Sequence, residues 1–126
     1  MKRMHVIPLT AALLSGCVTY KIRDDGLTRA IFGETVSVGG PRVTPVSLVE
    51  DSRCPQDVQC VWAGRVRISV RIETGAGTIS QDLDLGTPVQ VADGKLTLVE
   101  VYPDKRKDTP IYPEQYRFAF RFDDGL

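Results

Sequence analysis

In two stretches of the chain apolar side chains recur at every second position, a period that builds strands and defeats helices. Trp62, Val66, Ile68, Val70 and Ile72 share one parity, and Tyr116, Phe118, Phe120 and Phe122 share another. Each stretch therefore has one face to bury and one to leave in water. Strand-like composition runs from Thr28 to Val38, Val43 to Glu50, Cys60 to Glu73, Thr78 to Leu85, Pro88 to Ala92, Lys95 to Tyr102 and Gln115 to Phe122. Turn residues separate these runs: Gly39, Gly40 and Pro41 after the first, and Gly75, Ala76 and Gly77 after the third. Asp93 and Gly94 fit a two-residue hairpin that sets Val91 opposite Leu96 and Val89 opposite Leu98. With no helical period of useful length, about seven short strands predict an all-β domain, an immunoglobulin-like two-sheet sandwich, with a small β-barrel as the alternative. Pro103 to Pro113 holds three prolines around Lys105, Arg106 and Lys107 and reads as an exposed loop.

The first residues have the three parts of an export signal: Lys2 and Arg3, an apolar stretch from Val6 to Leu14, and a small-residue cleavage site. Leu14, Ser15, Gly16 and Cys17 match the lipobox of bacterial lipoproteins at every position. That resemblance implies cleavage before Cys17, lipid on its thiol, and a membrane partner reached through the anchor. More than one acyl chain is needed for stable anchoring, because each buried methylene contributes only about 0.8 kcal/mol. The organisation expected is a signal peptide over residues 1–16, a lipidated tether over 17–27 and one domain over 28–126. Val18 stands where Asp would resemble an inner-membrane retention signal, so the expected address is the outer membrane, facing the periplasm.

With Cys17 committed to lipid, Cys54 and Cys60 remain in a compartment that favours oxidation, and they are expected to pair. For a loop of about seven residues the chain-entropy relation gives roughly 2.4 kcal/mol, and Pro55 stiffens the same loop. Cys60 and Trp62 share the parity of the buried face, which places the indole near the bridge.

The stretch from Asp51 to Gly64 reads Asp-Ser-Arg-Cys-Pro, four residues, Cys, Val, Trp, Ala, Gly. It resembles the signature of an uncharacterised family of small exported bacterial domains and lipoproteins. Val101, Tyr102 and Pro103, and the strand from Pro113 to Phe122, are also similar. The resemblance implies a fold and brings no activity, substrate or catalytic residue.

The sole histidine, His5, lies in the segment to be removed, so the mature chain has no imidazole for triad chemistry or metal ligation. Zinc would have to rest on Cys54, Cys60, Asp51 and Asp57, a poor match to known spacings. The neighbouring carboxylates Glu50 and Asp51, or Asp123 and Asp124, point to opposite faces of a strand and do not converge. No enzymatic activity and no cofactor are expected. Sixteen basic and sixteen acidic side chains balance in the full chain, and loss of Lys2 and Arg3 makes the mature charge slightly negative, which implies no nucleic-acid partner. Arg65, Arg67 and Arg71 lie opposite the apolar face of their strand, where Asp82 and Asp84 of the next strand can neutralise them. The function expected is a non-catalytic envelope lipoprotein that binds a protein or glycan partner, with Arg53, Pro55, Arg65, Arg67 and Arg71 as candidate contacts. The alternatives are an inhibitor of a secreted hydrolase acting through the Cys54–Cys60 loop, and a thiol-redox or metal-handling protein using the same cysteines.

Overall fold

A computed structural model describes residues 25–124; the leader, Cys17 and nearly all of the tether lie outside the described residues. The expected all-β sandwich is what forms. Strands β1 (Thr28–Ala30), β2 (Val36–Ser37), β3 (Arg42–Asp51), β4 (Val66–Thr74), β5 (Gly77–Asp84), β6 (Val89–Val91), β7 (Gly94–Tyr102) and β8 (Arg117–Asp124) make two antiparallel sheets. Their orders are β1-β8-β7-β6 and β2-β3-β4-β5. The chain passes between sheets only after β1 and after β5; inside each sheet it meanders, and β8 returns beside β1. The immunoglobulin likeness therefore holds for the layered architecture, while the connections are simpler than a Greek key.

The period-two faces meet between the sheets. Val43, Val66, Ile68, Val70, Ile72 and Leu83 come from one sheet, Leu96, Leu98, Phe118 and Phe120 from the other, and all are fully buried. Each side chain of this size contributes about 1.5–3 kcal/mol through burial. Phe32, from the link between β1 and β2, sets its ring edge against Phe118 at 4.8 Å and Tyr116 at 5.9 Å.

Three local expectations are corrected. The run from Thr28 to Val38 is two strands, because Gly33, at φ 83°, turns the chain so that its amide donates to Pro45 O at 2.8 Å and carries it to the other sheet. The hairpin turn is Ala92-Asp93, pairing Val91 with Gly94 and Val89 with Leu96. Gly94 belongs inside the strand because a Cβ there would overlap the Asp123 carbonyl and the Phe122 ring. The two-residue shift leaves every side chain on its expected face. Finally, β4 begins at Val66 and not at Cys60, which removes Trp62 from the buried stripe.

Candidate functional site

Antiparallel order gathers the β3–β4, β5–β6 and β7–β8 connections at one end of the sandwich. The short turns of Gly39-Gly40, Gly75-Ala76 and Ala92-Asp93 lie at the other. At the turn end there is a shallow cavity of about 270 Å³ whose charged lining groups, among the described residues, are Asp93 and Asp124. The chemistry-bearing side chains are concentrated at the loop end.

There, the last residue of β3 anchors a cluster. The Asp51 carboxylate accepts from Arg53 Nε and Nη2, both at 2.9 Å, and from the Tyr116 hydroxyl at 2.8 Å. Arg53 also donates from Nη1 to Val101 O at 3.1 Å and from Nη2 to Pro103 O at 3.0 Å. The pair is largely out of water, with side-chain exposures of 5% for Asp51 and 15% for Arg53. Lys105 Nζ donates to Asp51 O at 2.9 Å, Gln56 N to Lys105 O at 2.9 Å, and Lys107 N to Asp57 Oδ1 at 2.8 Å. The β7–β8 connection, expected as an exposed loop, is exposed along most of its length and is stitched to the β3–β4 connection by these bonds. Arg53, expected as a contact for a partner, spends its donors inside the protein and holds those two segments together.

The β3–β4 loop is closed twice more. Cys54 and Cys60 form a disulfide with Cα atoms 5.9 Å apart, and Val58 N donates to Pro55 O across its turn at 3.1 Å. At the neck, Ser52 N donates to Arg65 O at 2.8 Å and Arg65 N donates to Ser52 Oγ at 3.0 Å. Gly64 passes so near Ser52 that no Cβ fits. Every residue type in the Asp51–Gly64 stretch that the sequence made conspicuous thus has a structural task, with one exception. Trp62 was expected beside the bridge; it is 61% exposed, next to a Val61 that is 98% exposed, with Val58 also open to solvent. The disulfide and the neck hold residues 60–65 off the sheet, so strand parity does not reach them.

Comparison of the chain with protein-family models, curated proteins and solved structures finds no match.

The arginine stripe is mostly neutralised. Arg67 grips Asp84 in its register position, Nε to Oδ1 at 2.7 Å and Nη2 to Oδ2 at 3.0 Å, and that hydrogen bond holds the Asp84 carboxyl below the usual carboxylate range. Asp82 faces Ser69 instead of an arginine. Arg65 pairs with Glu50, and Arg71 reaches only Glu73, at 4.0 Å. Among the described residues no three His, Cys, Asp or Glu side chains come together as a metal cluster.

Burial alone would raise the Asp51 carboxyl, but the hydrogen bonds from Arg53 and Tyr116 and the guanidinium charge outweigh it and hold it below its ordinary 3.8. Burial, and then the bond to Asp51, push the Tyr116 hydroxyl far above its ordinary value, so it stays a donor. A depressed carboxyl contributes stability that is complete above the unfolded-state value and lost as pH falls through the folded one. Melting of the wild type is expected to weaken as pH drops below about 4, and Asp51→Asn to flatten part of that decline. An identical acid slope in the variant would contradict it.

Proposed function

We propose that this chain is a non-catalytic bacterial envelope lipoprotein, held by lipid on Cys17 in the outer membrane and facing the periplasm. Its β-domain presents the Val61–Trp62 tip to a protein or glycan partner. The likeness of residues 51–64 to small exported domains belongs to this reading, and the lack of an imidazole after the leader favours binding over catalysis.

One observation carries the binding half: a large aromatic and a valine stand in water on a loop that a disulfide, a neck and a largely buried ion pair keep in shape. Exposed Trp on a preformed surface is a common energetic anchor of interfaces, and little ordering entropy is left to lose on contact. Strand direction supports it too. Thr28 pairs with Phe120 and Ala30 with Phe118, so the chain enters from the turn end, and β4, with nine residues, spans about 30 Å from there to the loop end. Trp62 therefore lies at the end of the domain toward which β1 runs.

Mass spectrometry of the envelope-extracted protein is expected to find an N-terminal peptide starting at lipid-modified Cys17; one still bearing Met1 overturns the anchor. Trp62→Ala is expected to weaken partner retention by the immobilised protein about thirtyfold, the loss of a roughly 2 kcal/mol anchor. It should change folding stability by less than about 0.5 kcal/mol. Full retention by the variant would end the assignment of the tip. The stiffness of the loop also favours the second reading, insertion into the cleft of a secreted hydrolase. Inhibition of a periplasmic protease or lysozyme by the wild type, lost in Trp62→Ala, would select it.

A further inference from the structure

Edges of β-sheets invite pairing, and proteins that stay monomeric blunt them with short strands, proline, bulges or lysine. Three ends of the two sheets follow that rule. β1 and β6 have three residues each. β2 has two, and the β3 edge it leaves uncovered carries Pro45 and register breaks at Val46 and Val49. β5 does not follow it: eight residues, no proline, no lysine, and an unbroken register with β4 from Gly77 to Asp84.

The direction of its main-chain groups follows from one bond. Leu85 N donates to Val66 O at 2.9 Å, which makes that a hydrogen-bonded pair. Alternation along an unbroken antiparallel ladder then aims the groups of Leu83, Gln81 and Ile79 at β4, and those of Asp82, Ser80 and Thr78 outward. Thr78, Ser80 and Asp82 are exposed, and among the described residues no strand lies beside them. The Asp84 carbonyl accepts Thr87 N at 3.0 Å, which ends the free run. Asp82 O accepts Gln81 Nε2 at 3.1 Å and keeps a second lone pair.

We propose that β5 of two copies pair antiparallel about Ser80, joining their β2-β3-β4-β5 sheets into one continuous sheet. The edge is self-complementary in that register. Ser80 exchanges both main-chain bonds with Ser80 of the second copy, and Thr78 does so with Asp82 in both directions. The charge pattern selects a second copy and this register. Asp82, the sole charged residue among the three outward groups, meets a threonine hydroxyl that can donate to it, whereas a two-fold centred on Asp82 would oppose two carboxylates. On the core-side face Ile79, 50% exposed, comes against Gln81 of the other copy and loses water contact.

A seam one strand pair wide is small, so the dimer is expected at micromolar concentration. Sedimentation of the purified chain tests it. Wild type is expected to dimerise, and Ser80→Pro, which removes only an outward amide, to weaken association about tenfold or more with the melting temperature kept. Ser80→Lys sets two ammonium groups face to face and is expected to do the same without altering backbone freedom. A chain that stays monomeric through the micromolar range overturns the proposal. So does a dimer indifferent to both variants, or a monomer whose β5 captures an extended peptide instead.

Discussion

Arg53→Ala is expected to cost about 3–5 kcal/mol of unfolding free energy, the range for removing one partner from a buried ion pair. The size of the loss comes from what is left behind. Asp51 is left in a place where it is almost unhydrated, with the Tyr116 hydroxyl at 2.8 Å and the main-chain N–H of residue 53 at 3.4 Å as its remaining donors. The carbonyls of buried Val101 and half-buried Pro103 each lose a donor in the same stroke, and a buried acceptor left without a partner costs about 1–3 kcal/mol. Tyr116→Phe should cost much less, about 1 kcal/mol, because Arg53 still satisfies the carboxylate. Urea unfolding of both variants measures the difference. An Arg53→Ala loss below about 1 kcal/mol would place the pair among ordinary surface ion pairs and contradict its role as the clasp of the loop end.

The second large effect is expected from a single methyl group. In Gly64→Ala the new Cβ would overlap the Ser52 carbonyl and crowd Arg53 Cα. Both are backbone atoms that cannot rotate away, so the neck has to open, stretching the bonds between Ser52 and Arg65. The expected cost is about 3 kcal/mol, at the upper end for overpacking. Gly75→Ala is the control: nothing lies within 4 Å of its added Cβ, and a shift within about 0.5 kcal/mol is expected. Equal effects at the two glycines would show that the neck is loose.

Where apolar residues alternate without interruption, the sequence was legible. β4 and β8 carry their faces in their period, and Val66, Ile68, Val70, Ile72, Phe118 and Phe120 are buried as parity requires. It misled where parity was carried across a break. Trp62 has the right parity for the core, but Gly64 and the disulfide take residues 60–65 off the sheet. On β3 the register breaks at Val46 and Val49 turn apolar side chains outward. The hairpin register depended on a close approach between Gly94 and the Phe122 ring, a contact between strands far apart in sequence. The cysteine pairing could be reached from the count of sulfurs left after Cys17. The clasp could not, because Arg53 and Asp51 sit two residues apart while Tyr116, Val101 and Pro103 come from the other sheet and the connection beyond it, and no local pattern joins them. Arg53 reads in the sequence as a contact for a partner; its geometry makes it a fastener between the β3–β4 and β7–β8 connections.

Trp62 is the sole tryptophan of the chain, so intrinsic fluorescence reads that one position. In the folded protein its emission is expected to match that of tryptophan in water, to be quenched freely by acrylamide, and to shift little when urea unfolds the domain. Emission typical of a buried indole, moving to the red on unfolding, would place the side chain in the core and contradict the display of the tip.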